Sequence, residues 1–120
     1  MISSVKSIRP FIGAKNIDIS RAFYKDFGFE EVELASNLFY FRSSQFGFYL
    51  QDAYVKDWVD NTMLFLEVEN LEHHLKGLKA LSLDKKYVGV RVSEIHDKEW
   101  GKEYFVHDPS GILWHIGEFE

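Results

Sequence analysis

The sequence predicts an α+β domain of two βαβββ modules, whose eight strands form one mixed sheet around a cleft with helices on its outer face. Three observations carry this expectation. The order strand, helix, three strands occurs twice along 120 residues. The segment from Ile8 to Asp18 aligns with that from Thr62 to Glu72 at an offset of 54 residues, matching Phe11 to Phe65 and Asn16 to Asn70. Turn residues fall between the strand-like runs, at Ser36-Asn37, Ser43-Ser44 and Asp108-Pro109-Ser110-Gly111.

The elements follow in order. Residues 5–14 read as a strand carrying Pro10, which cannot donate to a ladder and so marks an edge, a bend or a crossing point. Asn16 or Asp18 caps a helix with Ile17, Ala22, Phe23 and Phe27 at helical spacing, and Gly28 stops it. Strands are expected over residues 29–34, 38–41 and 46–51, then a connection over 53–60. The second pass runs as a strand at 63–68, a helix burying Leu71, Leu75, Leu78 and Leu81, and strands at 87–92, 102–106 and 112–117. The modules span about residues 1–52 and 61–120 of a single domain.

Composition narrows the function. A hydrophobic fraction of 46% belongs to a globular chain, and an aromatic fraction of 17% suggests a ring-rich core, a ring-lined pocket, or both. The net charge is −5 with no Lys/Arg cluster, which argues against nucleic acid. The absence of cysteine removes disulfides, thiolate chemistry and Cys-ligated zinc. No apolar run reaches membrane-spanning length and no signal peptide is legible, so a cytoplasmic location and no membrane partner are expected.

The segment Asn16–Phe29, the segment Leu66–Glu72 and the closing Trp100-Gly101 to His115 stretch resemble the vicinal oxygen chelate superfamily of glyoxalase I, extradiol dioxygenases, and fosfomycin- and bleomycin-resistance proteins. Pro10, Asp60-Asn61-Thr62, Trp100-Gly101 and His115 look most like the bleomycin-resistance type. That resemblance implies a metal-free homodimer, its N-terminal strand exchanged at Pro10, that sequesters an antibiotic-like aromatic or cationic small molecule.

In metal-using members of the superfamily, four strands each supply one ligand. The resemblance places Arg9, Tyr49 with Gln51 beside it, Met63 and His115 at those positions. Arginine is a fixed cation, and a thioether suits hard divalent ions poorly, so neither a metal nor another cofactor is expected. His73 and His74 are adjacent on a helix and read as solvated, and His96 and His107 as ordinary surface. Neither a Ser–His–Asp set nor a Gly-rich phosphate loop is legible, so no catalytic residue is assigned. A metal-dependent lyase, isomerase or dioxygenase with a degenerate ligand set stays open as the second reading, and a ligand-free dimeric scaffold as a third.

Strand alternation puts Arg9 and Phe11, Tyr49 and Gln51, Met63 and Phe65, and His115 on the cleft side. Trp100, among acidic residues, is the candidate rim that would stack on a planar ligand. These eight residues form the candidate binding set. Phe65 serves a core equally well, and Arg9 would need an acidic partner such as Glu67 or an anionic ligand. Trp58 is a possible second rim, whereas Trp114 alternates into the core. Whether the modules pair within or between chains is left open by the sequence.

Overall fold

The structure, a computed structural model, describes residues 3–120. The expected start of the first module at Met1 and Ile2 lies outside the described residues. That module comprises β1 (Phe11–Gly13), α1 (Ile17–Asp26), β2 (Glu30–Ala35), β3 (Leu38–Ser43) and β4 (Phe46–Gln51). After the short α2 (Lys56–Asp60), the second comprises β5 (Met63–Glu67), α3 (Leu71–Ala80), α4 (Leu83–Lys86), β6 (Arg91–Val92), β7 (His96–Lys98), β8 (Gly101–His107) and β9 (Leu113–Phe119).

The repeat is realised atom by atom at the helix starts. The Asn16 side chain accepts the Ile19 N–H at 3.2 Å, and the Asn70 side chain accepts the His73 N–H at 3.0 Å, each filling one of the unpaired donors of a helix start. Ser20, Phe23 and Tyr24 form the buried stripe of α1, and Leu71, Leu75 and Leu78 that of α3. Leu81 caps α3 and is exposed, contrary to expectation.

The strands form two sheets rather than one. The first has the order β1-β4-β3-β2, and the second β5-β9-β8-β6 with β7 also on β8. In each, the strand before the long helix pairs in parallel with the module's last strand: Phe11 lies opposite Tyr49, and Phe65 opposite His115. The helix-covered faces of the two sheets meet in a common core. Trp114 of β9 lies 5.4 Å from Phe48 of β4, 5.6 Å from Phe29 and 5.9 Å from Tyr24 of α1 between ring centroids. The opposite face of each sheet is therefore open.

A buried polar junction crosses that core. Tyr24 donates to Asp108 Oδ2 at 2.6 Å, and Trp114 Nε1 donates to the Tyr24 hydroxyl at 3.0 Å. Asp108 Oδ1 accepts the backbone N–H groups of Ser110, Gly111 and Ile112 at 2.8–2.9 Å. Burial pushes the Asp108 carboxyl above its ordinary range, opposed by these hydrogen bonds. Ser110 Oγ accepts the Lys15 N–H at 2.9 Å and lies 3.3 Å from Ser20 Oγ. The β8–β9 turn of one module is thereby stapled to the β1–α1 corner of the other.

Two expected strands are shorter than their apolar patterns suggested. Only 11–13 of the expected 5–14 is paired. Pro10 gives the last ladder bond, its carbonyl accepting the Tyr49 N–H at 2.8 Å, and Val5 and Ile8 beyond it are 72% and 94% exposed. In place of a strand over 87–92, Leu83, Tyr87 and Val90 bury themselves from α4 and a turn with Gly89 at φ +88°. The edge chain then pairs with β8 in two pieces, Arg91 with His107 and His96 with Glu103, so its register slips by one residue through a bulge around Ser93.

His74 corrects another expectation. It is half-buried, with Nδ1 2.5 Å from the Tyr104 hydroxyl, rather than solvated. Burial, and then the charge of His73, holds its pKa below the ordinary value of 6.5.

Two outcomes follow from this packing. Tyr24→Phe leaves the Trp114 N–H and Asp108 Oδ2 without their partner, so it should destabilise by about 1–3 kcal/mol in denaturant unfolding, with an unchanged m-value. An unaltered midpoint would show that the junction is dispensable. The depressed His74 pKa contributes stability that is complete above pH 6.5 and is lost as pH falls through the folded value. Unfolding free energies measured from pH 7 to 5.5 should therefore fall less steeply for His74→Gln than for the parent. Parallel curves would contradict this.

Candidate functional site

The open face of the first module is a cluster of rings. Phe11 stacks on Tyr49 at 4.7 Å, and Tyr40, opposite Tyr49 on β3, lies 5.4 Å from it. Arg9 spreads over Tyr40 with its guanidinium 4.2 Å from the ring centroid and donates to the Tyr49 hydroxyl at 3.1 Å. Gly47 makes room for Tyr40, since a Cβ there would lie 2.5 Å from the ring. Gln51 shares this face by alternation along β4. Arg9 is neither buried nor paired with Glu67: it is exposed, and aromatic faces take the place of the expected acid.

On the second module the open face is more polar. His115 Nδ1 lies 2.9 Å from Glu103 Oε1, within hydrogen-bond distance, and its Nε2 points to Met63 Sδ at 3.4 Å. Glu103 is only 6% exposed, and its other oxygen faces Lys98 Nζ at 3.9 Å. Phe105 meets the His115 ring edge-on at 5.0 Å. At one end, Phe65, Trp100 and Phe119 gather with centroids 4.9–5.7 Å apart. Phe65 lies over Gly117, where a Cβ would come within 2.3 Å of its ring.

The eight expected residues thus fall into two groups: Arg9, Phe11, Tyr49 and Gln51 on one sheet, and Met63, Phe65, Trp100 and His115 on the other. One chain presents two separate open faces rather than one closed cleft. Trp100 is partly buried against Phe65 and Phe119, whereas Trp58 stands on α2 with 72% of its surface exposed. Trp114 is in the core as expected. A groove of about 890 Å³ runs between the β3–β4 hairpin and β5, lined by Pro10, Phe46, Phe48, Met63, Phe65 and Phe119 among others. It follows strand stretches left unpaired on one side, β4 ahead of Tyr49 and the whole of β5.

Tyr40, Glu103, Phe105, His107 and Arg91 also stand on these faces and were missed in the sequence. Once β8 is set against β9, the alternation Glu103, Phe105, His107 places all three beside His115 and Leu113. Arg91 depended on the pairing of a two-residue strand.

The residues that the sequence resemblance places at metal positions do not fit a hard divalent ion. Arg9 carries a fixed charge, Tyr49 is already hydrogen-bonded to it, and what remains is the Gln51 amide, the Met63 thioether and the single imidazole of His115. Among the described residues no three His, Asp or Glu side chains are grouped to hold a metal.

No protein-family model matches the chain, and no curated protein matches it in sequence. Solved structures do. A bleomycin resistance determinant encoded on transposon Tn5 is 16% identical, with a TM-score of 0.81 over 97% of this chain and 99% of that one. The bleomycin-binding protein of bleomycin-producing Streptomyces verticillus, complexed with copper(II)-bleomycin, is 18% identical, with a TM-score of 0.81 over the whole of both chains. Lactoylglutathione lyase from Agrobacterium tumefaciens is 18% identical, with a TM-score of 0.69 over 98% and 100%. The two-module architecture seen here is the fold of these glyoxalase and bleomycin-resistance structures.

Proposed function

We propose that the protein is a metal-free binder that sequesters an aromatic, antibiotic-like small molecule in clefts built by a homodimer. The observation that carries this reading is the pair of open, ring-bearing faces with a donor set unsuited to a hard metal ion. A second copy supplies the missing half when the first module of one chain faces the second module of its partner. The exposed arm ahead of Pro10 and the unpaired edges of β4 and β5 support arm exchange, since the arm carries backbone donors and acceptors and an apolar Val5 and Ile8 that a partner's edge would cover. The bleomycin-binding neighbours support the choice of ligand class.

Light scattering should give about twice the 14.1 kDa chain mass. Titration with bleomycin and a panel of planar aromatic compounds should find a binder, and Trp100→Ala should weaken it about five- to thirty-fold, the equivalent of roughly 1–2 kcal/mol of stacking. A monomer at high concentration, or a panel without a binder, would reject the reading.

The lyase neighbour supports a second reading, a metal-dependent lyase, isomerase or dioxygenase. Elemental analysis after growth in zinc-, iron- and manganese-supplemented medium separates the two. About one metal per chain, lost on His115→Ala, would favour the enzyme. Metal-free protein that still binds its ligand would favour the binder.

A further inference from the structure

The open face of the second module is polarised along its strands. At the Trp100 end it carries Phe65, Phe119 and the exposed carboxylate Glu67, which lies opposite Gly117. About 13 Å away, four residues along β5 at about 3.3 Å each, the same face ends in basic side chains. There Arg91 on β6 lies opposite His107 on β8, and His107 lies opposite Leu113 on β9. A pocket of about 360 Å³ opens between them, with Arg91, His107 and Ser93 at its walls and Phe105 and Leu113 as its floor. Neither Arg91 nor His107 forms an ion pair with a carboxylate among the described residues. Burial and the charge of Arg91 hold the His107 pKa below its ordinary value, as expected for two basic groups side by side without a counter-ion.

We infer that this pocket binds an acidic group of the ligand, a carboxylate, sulfonate or phosphate, while the attached rings lie over Phe105 and His115 toward Trp100. The inference rests on the binder reading and deepens it: the ligand is an aromatic compound carrying an anionic group. The geometry suits that chemistry. Arg91 offers a planar fork that matches the oxygens of such a group, and His107 adds an N–H donor beside it. The apolar floor continues from the pocket to His115, because Phe105 packs against both. The chain's net charge of −5 would not by itself attract an anion, so a preference for one would come from local basic groups, whose share at this pocket Arg91→Gln isolates.

Two probes with the same rings isolate the anionic contribution: 8-anilino-1-naphthalenesulfonate and the uncharged N-phenyl-1-naphthylamine. In fluorescence titrations the sulfonate should bind about ten-fold tighter than the amine, and Arg91→Gln should remove most of that difference while leaving the amine's affinity unchanged. Arg91 is exposed at a sheet edge, so its variant keeps the fold, which circular dichroism verifies. Equal affinities of the two probes, or no effect of Arg91→Gln, would overturn the inference and leave the binder reading standing. Failure of both probes to bind would overturn both. Millimolar inorganic phosphate that stabilises the parent as strongly as the sulfonate does, but not Arg91→Gln, would assign the pocket to a free anion and overturn the aromatic part.

Discussion

The hydrogen bonds joining Tyr24, Asp108 and Trp114 set the orientation of everything else. Each of the three sits in the common core, and each would be costly there alone: a phenol, an indole N–H and a carboxyl require partners in an apolar interior. They are satisfied only when α1 of the first module packs against the β8–β9 turn of the second. A sheet has two faces. Once the helix-bearing faces are committed to this junction, the ring-lined faces are left outward, on opposite modules of one chain.

That arrangement explains why a chain so rich in aromatic residues leaves Phe11, Met63, Phe65 and Phe119 substantially exposed. These side chains are not spread over the surface but grouped on two faces, with Tyr40 and Tyr49 around Arg9 and with His115 held by Glu103. Grouped exposed apolar surface marks a place of association. In the proposed dimer, a site divided between two chains would tie ligand binding to dimer formation, since an aromatic guest held between the two faces would stabilise the assembled state by mass action.

Much of the fold was legible because its signals are local. Asn16 and Asn70 cap two helices at the same place in a repeat, Gly28 ends one of them, and Asp108-Pro109-Ser110-Gly111 makes a turn whose acid is consumed by its own backbone. The misses depended on non-local pairing. Whether residues 5–9 form a strand depends on which edge they meet, and within one chain they meet none. The split edge of β6 and β7 comes from one extra residue opposite β8, which no periodicity announces. One sheet or two is decided by long-range packing. Strand alternation placed Phe11, Tyr49, Phe65 and His115 on the open faces, whereas placing Glu103 and Arg91 there needed the register of β8. Arg9 was misjudged because it is exposed to solvent and lies over aromatic rings, so it needs no acidic partner.

The central claim, that each cleft joins the first module of one chain to the second module of its partner, is tested most directly by mixing two defective variants. Tyr49→Ala damages the first face and Phe65→Ala the second, so every cleft in either homodimer carries one damaged half. If clefts form between chains, a mixed dimer holds one cleft with both halves intact, and after equal subunit exchange about a quarter of all clefts regain parental affinity for N-phenyl-1-naphthylamine. If clefts form within a chain, every cleft in the mixture still carries one damaged half. A titration of the exchanged mixture that shows no site of parental affinity would contradict the account.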